Sequence, residues 1–281
     1  MIAFLNGDFI PEEQAKVSIL DRGFLYGDGL FEVMSVFGGR PFRWNDHLTR
    51  LQQGAAFLKI RVPFAADELR EHARQLIERN GMLEGLLRLT LSRGVGVRGY
   101  SPAGAEHPTL TMTLHPVLET KGEPPTVWRV ITASFRLPAG EALAQFKTCN
   151  KLSQVLARAE ADARGADEAL LLNTDGKVVE GSSSNLFWIT KETVNTPPLA
   201  AGILAGVTRV VVLEICRKIG VPIRETGITP AELRRADGVF LSLSSRGVVE
   251  AGWLDDEPLG RSPLAQKLRA MYVEMTQNCP D

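Results

Sequence analysis

The chain has 281 residues, of which 44% are hydrophobic and 23% charged, and its formal net charge is -1. This length and composition are typical of a globular protein large enough for two modest domains. The balanced charge argues against a nucleic-acid-binding surface. The sequence also lacks a basic, apolar leader and any stretch approaching the roughly 20 apolar residues that span a bilayer. We therefore expect a cytoplasmic protein that binds neither nucleic acid nor a membrane.

Cysteines and histidines are few and scattered. Cys149, Cys216 and Cys279 offer neither a disulfide framework nor a CxxC pair. The four histidines form no HExxH motif and no cluster with the spacing of metal ligands. The sequence thus predicts reduced thiols and no metal site.

The N-terminal part of the chain alternates strand and helix patterns. Asn6-Gly7 between apolar runs predicts a hairpin, because both turn positions need positive φ. Apolar spacing predicts helices over 45–60 and 66–80, and alternation over 109–114 predicts a strand with one buried face. The helix residues expected in the core are Leu48, Leu51, Ala55, Leu58, Leu69, Ala73, Leu76 and Ile77.

A polar segment with two prolines, residues 118–126, predicts a linker. It divides an N-terminal α/β domain, residues 1–117, from a C-terminal domain, residues 127–281. The second domain shows an α+β rhythm that includes a helix over 150–164 and a strand over 168–172. The apolar face of that helix is expected at Leu152, Val155, Leu156 and Ala159.

Three positions in the second half could carry chemistry. Lys147 lies where a strand-like approach changes into a helix, so its amine could reach a cleft, although a lysine there is ordinarily solvated. Glu180 precedes the polar run GSSSN and could pair with a protonated ring nitrogen, the alternative being a serine-capped loop. Val207 and Thr208 follow Gly206 at a predicted helix N-terminus, where free N–H groups can bind phosphate.

Two segments of the first half suit anions. Arg50 lies off the apolar face of its predicted helix and could bind a phosphate, or be a surface charge. The glycines of 94–99 spell GxGxxG, but no helix can follow them, so a dinucleotide-binding fold is rejected. The same loop carries Arg98 and Tyr100, which suit an anionic substrate or simply face solvent.

Six motifs taken in order resemble the class IV aminotransferase family of fold-type IV PLP (pyridoxal 5'-phosphate) enzymes. They are SILDRGFLYGDGLFEV, HLTRL, SRGVGVRGYSP, FKTCNKL, DEALLLNTDGKVVEGSSSNLF and GILAGVTR. The match runs from the first strand to about Ala251. The resemblance implies an α/β (α+β) fold, with a small N-terminal α/β domain, a larger C-terminal domain and PLP between them. It also implies a homodimer that acts on a small amino or carboxylate substrate.

The resemblance also implies roles for individual residues. Lys147 would hold the cofactor covalently and carry the proton, while Glu180 would pair with the pyridine nitrogen. The other implied cofactor contacts are Arg50, Leu204, Val207, Thr208 and Ser244. The implied substrate contacts are Phe31, Arg98 and Tyr100, the last two across the dimer interface.

Within the family, SRGVGVRGYSP and KTCNKLSQVLARAE are most similar to 4-amino-4-deoxychorismate lyase, which releases 4-aminobenzoate and pyruvate. Residues 242–244 depart from that pattern, because Leu243 stands where an amide is expected. The first prediction is a lyase. The alternative is an aminotransferase acting on D- or branched-chain amino acids, although YGDGLFEV differs from the branched-chain pattern YGTSVFEG. A non-catalytic ligand-binding homologue is a third, more remote hypothesis.

Overall fold

The computed structural model describes residues 1–117 and 127–277. The predicted linker at 118–126 therefore lies outside the described residues. In the two described ranges, no helix is long and apolar enough to cross a membrane.

The described residues form two compact units. The first comprises 1–117 together with Phe146–Asn150, and the second comprises 127–145 and 151–277. The sequence-based boundary assigned residues 146–150 to the C-terminal domain, whereas they belong to the first unit. The reason is backbone pairing, since Thr148 forms an antiparallel bridge with a strand residue of that unit.

The first unit is built on a six-stranded antiparallel sheet. Its strands are β1 (Ile2–Leu5), β2 (Asp8–Pro11), β3 (Gly29–Phe37), β4 (Arg40–Pro41), β5 (Gly85–Ser92) and β6 (Thr109–His115), and its helices are α1 (Arg22–Tyr26), α2 (Trp44–Leu58) and α3 (Ala66–Asn80). The strand order is β2-β1-β6-β5-β3-β4. Helices α2 and α3 pack on the sheet through one apolar core.

Local signals in the first unit behave as predicted. Asn6 and Gly7 both have positive φ in the turn between β1 and β2. The expected core residues of α2 and α3 are buried, apart from Leu58, which is partly buried against the same core. Gly81 ends α3 in the left-handed conformation.

The second unit is built on a larger mixed sheet. Its strands are β7 (Val127–Leu137), β8 (Glu168–Asn173), β9 (Val178–Gly181), β10 (Asn185–Thr190), β11 (Thr193–Thr196), β12 (Ile223–Glu225), β13 (Gly238–Leu243), β14 (Gly247–Leu254) and β15 (Glu257–Pro258). Its helices are α4 (Leu152–Ala163), α5 (Val207–Lys218), α6 (Pro230–Leu233) and α7 (Pro263–Gln277). The predicted α+β character is confirmed.

One residue pair closes part of this sheet into a ring. The strand order is β12-β11-β10-β13-β14-β7-β8-β9, with β15 on β14. Glu180 of β9 pairs with Asn185 of β10, so the six strands from β10 to β9 close on themselves. The two residues that flank the GSSS segment therefore lie at the point of closure.

Helix α4 differs from its prediction in the face that it buries. Ala157 and Ala161 are fully buried against the strands, whereas Leu152, Val155 and Leu156 are exposed. Small side chains allow the helix to approach the sheet closely, so the apolar stripe with the larger residues faces away. The apolar face named from the sequence is therefore the exposed face of this helix.

Candidate active site

Lys147 lies in an extended segment beside the start of β3. The Phe31 N–H donates to the Lys147 carbonyl at 2.9 Å, and the Cys149 N–H donates to the Gly29 carbonyl at 2.8 Å. The Lys147 ammonium nitrogen, Nζ, lies 4.7 Å from the centre of the Phe31 ring. The structure therefore brings together Lys147 and Phe31, which the sequence placed more than a hundred residues apart.

Arg50 of α2 forms a buried ion pair with Glu32, a residue of β3. The Arg50 Nε donates to Glu32 Oε1 at 2.8 Å, and a second guanidinium nitrogen donates to Glu32 Oε2 at 2.5 Å. His47 Nδ1 lies 2.7 Å from Glu32 Oε2. All three side chains are buried, so α2 and β3 enclose a triad with one positive and one negative formal charge.

The environment of the triad shifts two pKa values. Burial alone would raise the pKa of Glu32, but the charge of Arg50 and hydrogen bonds from Arg50 and His47 outweigh it and lower the pKa to about 2. Burial lowers the pKa of His47 against the opposing pull of Glu32. Glu32 is therefore ionised and His47 neutral near neutral pH.

Arg88 is a functional candidate that the sequence reasoning missed. Its guanidinium carbon lies 4.1 Å from the centre of the Phe31 ring, and its Nε donates to Thr90 Oγ1 at 3.2 Å. In the described part of the chain it has no carboxylate partner, and burial lowers its pKa. The available signal was a lone arginine inside the apolar strand GLLRLTLS.

The loop that carries Arg98 and Tyr100 is fastened by its backbone. The Arg22 guanidinium donates to the carbonyls of Gly99, Tyr100 and Ser101 at 2.9 to 3.0 Å. The side chains of Arg98 and Tyr100 are exposed, Tyr100 to 87%. The loop is therefore held through its backbone. The side chains of Arg98 and Tyr100 neither hydrogen-bond to nor stack on Lys147 or Phe31 among the described residues.

Asp28 accepts hydrogen bonds from Arg22, the residue that binds the carbonyls of loop residues 99–101. It accepts from Arg22 at 2.9 Å and from Nε and Nη2 of Arg93 at 2.7 and 3.0 Å. Burial raises the pKa of Asp28, but the hydrogen bonds and charges of Arg93 and Arg22 outweigh burial and leave that pKa lowered. Arg93 also donates to the carbonyls of Leu58 and Lys59, which ties the end of α2 into the same network.

Glu180 and Asn185 bind the same residue of the second unit. The Leu204 N–H donates to Glu180 Oε2 at 2.8 Å, and Asn185 Nδ2 donates to the Leu204 carbonyl at 3.0 Å. Leu204 lies just before α5, so this pair of contacts fixes the approach to that helix. The structure therefore brings Glu180 and Leu204 together, as well as an asparagine for which no role was predicted.

At the N-terminus of α5, the backbone of Gly206 lies very close to the Asn185 side chain. Gly206 is the N-cap of α5, and no side chain caps the helix. A Cβ atom at Gly206 would lie 1.9 Å from the Asn185 amide oxygen, so only glycine fits. Val207 and Thr208 are buried in the first turn, where N–H groups lack intrahelical acceptors. Such groups bind anions.

A buried hydroxyl lies next to this region without a hydrogen-bond partner. Ser242 is 2% exposed, and its Oγ makes no hydrogen bond to any described residue. It pairs with Asn185 across the β10–β13 ladder, so the two side chains project from the same face. Ser244 follows the end of β13 and is half-buried. Buried polar atoms are normally satisfied, which points to a ligand here.

Comparison with known proteins identifies the family. Residues 29–251 match the model of the family described as amino-transferase class IV. A Methanocaldococcus jannaschii protein assigned as a branched-chain-amino-acid aminotransferase is 33% identical over 98% of this chain and 96% of its own length. A D-alanine aminotransferase from Bacillus licheniformis is 30% identical over 92% of this chain and 90% of its own length.

Solved structures agree with this fold. A branched-chain amino acid aminotransferase from T.th. with pyridoxamine 5'-phosphate is 30% identical, with a TM-score of 0.92 over 99% of this chain and 95% of that one. A Legionella pneumophila protein assigned as a 4-amino-4-deoxychorismate lyase is 29% identical, with a TM-score of 0.87 over 94% and 97%. The predicted fold type is thereby confirmed, and the chain belongs to the class IV aminotransferase family.

Proposed function

We propose that this chain is a PLP-dependent aminotransferase that exchanges an amino group between a small amino acid and a dicarboxylic partner. One observation carries the proposal. The Lys147 amine and the Arg88 guanidinium lie at 4.7 and 4.1 Å from the centre of one ring, that of Phe31. An amine able to move a proton thus stands near a half-buried cation that lacks a carboxylate, and a planar guanidinium binds carboxylates well.

The residues of the second unit fit a phosphate-bearing ring cofactor. Helix α5 begins just after Leu204, with Gly206 as its N-cap and no side-chain cap. The Ser242 hydroxyl, which has no hydrogen-bond partner among the described residues, lies in the same region. We assign phosphate contacts to Val207, Thr208 and Ser244. When bound, PLP supplies an electron sink beside the substrate α-carbon. A solved relative that carries pyridoxamine 5'-phosphate supports this choice.

The remaining roles follow from the charges of the side chains. Lys147 would anchor PLP through its amine and, once released, move a proton at the substrate α-carbon. Glu180 would favour a protonated ring nitrogen, because its carboxylate is held by the Leu204 N–H. The Leu204 side chain would support the ring face. Arg50 would donate to the phosphate from a guanidinium whose direction Glu32 fixes.

The relatives favour transamination over the lyase reaction. The M. jannaschii and B. licheniformis relatives, at 33% and 30% identity, are both assigned as aminotransferases, whereas the lyase structure is 29% identical. The lyase stays as a second candidate because loop 92–102 is similar to the lyase's, and because a dicarboxylate substrate would also suit Arg88. Its reaction would end with loss of pyruvate instead of transfer of the amino group.

As a partner we propose a second copy of the chain. Large apolar side chains are exposed at Ile19 and Phe24, and at Leu152 and Val155 of α4. Clusters of large exposed apolar side chains, such as Leu152 and Val155 on one face of α4, mark association sites on protein surfaces. In such a homodimer, Arg98 and Tyr100 would contact the substrate of the neighbouring subunit.

The test measures which substrates convert the cofactor. The purified chain is loaded with PLP and mixed separately with a branched-chain L-amino acid, D-alanine or L-glutamate, and cofactor absorbance is followed. We expect conversion by at least one donor and reversal by 2-oxoglutarate. Arg88→Gln should raise KM for 2-oxoglutarate about tenfold to a hundredfold, since a charge-assisted bond is lost. KM for pyruvate should change little.

Arg70→Gln is the matched control, because Arg70 is an exposed arginine of α3. It should leave both KM values unchanged. Equal effects of Arg88→Gln on 2-oxoglutarate and pyruvate would contradict the assigned dicarboxylate contact. Sustained release of 4-aminobenzoate from 4-amino-4-deoxychorismate without any keto acid, and no conversion by amino acids, would establish the lyase instead.

A further inference from the structure

Glu168 is a fully buried carboxylate that the proposed chemistry does not use. Its Oε1 accepts from the N–H groups of Ala169 and Ser182, at 2.9 and 3.0 Å, and from the Ser182 hydroxyl. Its Oε2 accepts from the Ser183 N–H at 3.2 Å, the Ser183 hydroxyl at 2.9 Å and the Ser184 hydroxyl at 3.0 Å. Six donors and no cation among the described residues therefore surround this charge.

These donors make Glu168 the centre of the serine segment, residues 181–184. The Gly181 N–H donates to the Ser184 carbonyl at 2.7 Å, which closes the turn. A Cβ atom at Gly181 would lie 2.2 Å from the Ser184 hydroxyl and 3.1 Å from the Glu168 carboxyl carbon. The carboxylate thus fills the inside of the turn, and glycine is required beside it.

The serine segment is flanked by the two residues that bind Leu204. Glu180 precedes the segment and Asn185 follows it, and the pair closes the ring of strands. Both also hydrogen-bond the backbone of Leu204, and the Asn185 side chain lies against Gly206 at the N-cap of α5. A continuous series of contacts therefore runs from Glu168 to the start of α5.

We infer that Glu168 is a positioning residue for the cofactor site. Its carboxylate holds the serine segment in the one shape that lets Glu180 and Asn185 fix Leu204 and the N-terminus of α5. This inference rests on the proposed function for the identity of the ligand, PLP. Glu168 touches neither Leu204 nor α5 through any of its six hydrogen bonds and acts through the segment.

The test substitutes Glu168→Gln, which keeps the size and removes the charge. Whichever way the amide is turned, its NH₂ group faces the N–H of either Ser182 or Ser183, and a backbone donor cannot rotate away. We expect the PLP dissociation constant of the variant to rise about tenfold or more. Hydrogen exchange at the Leu204 amide of the apoprotein should accelerate about tenfold, because its acceptor Glu180 is no longer held.

Two further variants make the test specific. Glu250→Gln changes another carboxylate buried in the same unit, whose partner is Arg261, and should leave PLP affinity and Leu204 exchange unchanged. Ser184→Ala removes one donor and should shift both readouts in the same direction by a few-fold. If Glu168→Gln does not fold, Ser184→Ala provides the test of the positioning role.

The outcomes separate this inference from the proposed function. Unchanged Leu204 exchange in Glu168→Gln and Ser184→Ala, or equal acceleration in Glu250→Gln, would overturn the positioning role. Faster exchange with unchanged PLP affinity would overturn the link to the cofactor. If the unsubstituted chain does not bind PLP, the proposed function fails, while the exchange measurements still decide whether Glu168 positions Leu204.

Discussion

Glu32 binds the guanidinium of Arg50 through two buried hydrogen bonds, at 2.8 and 2.5 Å. The pair neutralises the charge of Arg50 and fixes the direction of its remaining N–H groups. Any contact that Arg50 makes with a phosphate therefore depends on Glu32. His47 adds a third hydrogen bond to the same carboxylate, so two residues on one face of α2 fix its position.

Removing this charge should destabilise the protein. Glu32→Gln leaves the Arg50 cation buried beside a neutral amide, and breaking a buried pair typically costs about 3 kcal/mol. We expect that loss in the free energy of unfolding measured with urea. Glu71→Gln, at an exposed pair with Arg74, is the control and should show no measurable change. Equal stability of Glu32→Gln and the parent protein would contradict the role of the pair.

The free energy of unfolding should also decrease in two stages as the pH is lowered. The pKa of His47 is lowered by burial from 6.5, so below that pH the unfolded chain takes up a proton more readily than the folded chain. The pKa of Glu32 is lowered from 4.5 to about 2, so its contribution is complete above 4.5 and disappears as the pH falls toward 2.

Urea titrations across this pH range give the measurement. Between pH 4.5 and 2 the stability difference between the parent protein and Glu32→Gln should shrink, because the contribution of Glu32 is lost over that range. A difference that grows from pH 4.5 to 2 would mean that the carboxylate is not held in its charged form.

The sequence predicted the local parts of the site better than its long-range pairs. Glu180 lies in a predicted strand before a polar turn, and Val207 lies at a predicted helix start; the structure has β9 and α5 at these places. The Glu32–Arg50 pair was not predicted, because the pattern of a strand does not show which residue of a helix will pack against it. Arg88 was missed for the same reason, since its relation to Lys147 arises only when residues 146–150 pair beside β3.

The fold shows the same division. Helix α3 was predicted with its buried face, because Leu69 and Leu76 face the sheet of the same unit. Helix α4 was not, because its largest apolar side chains, Leu152 and Leu156, are exposed while alanines face the strands. A single sequence cannot distinguish an apolar face made for a core from one made for another molecule.

Glu180→Gln should keep the fold and bind PLP but lose most activity. A neutral amide can still accept from the Leu204 N–H, yet it no longer favours a protonated ring nitrogen. The loss of a buried charge partner corresponds to about several hundredfold in kcat if it is expressed in the transition state. Steady-state kinetics with the best donor measure it, with Glu250→Gln as control. Near-normal turnover would refute the role of Glu180.

Arg22→Lys should loosen the loop that carries Arg98. A lysine cannot bind the carbonyls of Gly99, Tyr100 and Ser101 together, as the guanidinium does. Limited trypsin digestion should cleave after Arg98 about tenfold faster than in the parent protein, since cleavage follows local opening. Cleavage at the parent rate would show that the Arg22 contacts do not hold the loop.

The covalent state of Lys147 shows whether this amine anchors PLP. The purified chain is incubated with PLP, reduced with borohydride, digested and mapped by mass spectrometry, with Lys147→Ala as the control. We expect one phosphopyridoxyl group, on Lys147, because its amine is held beside Phe31 by the backbone pairing of 146–150 with β3. A label on Lys151, or the same label in Lys147→Ala, would contradict the assignment of the cofactor site.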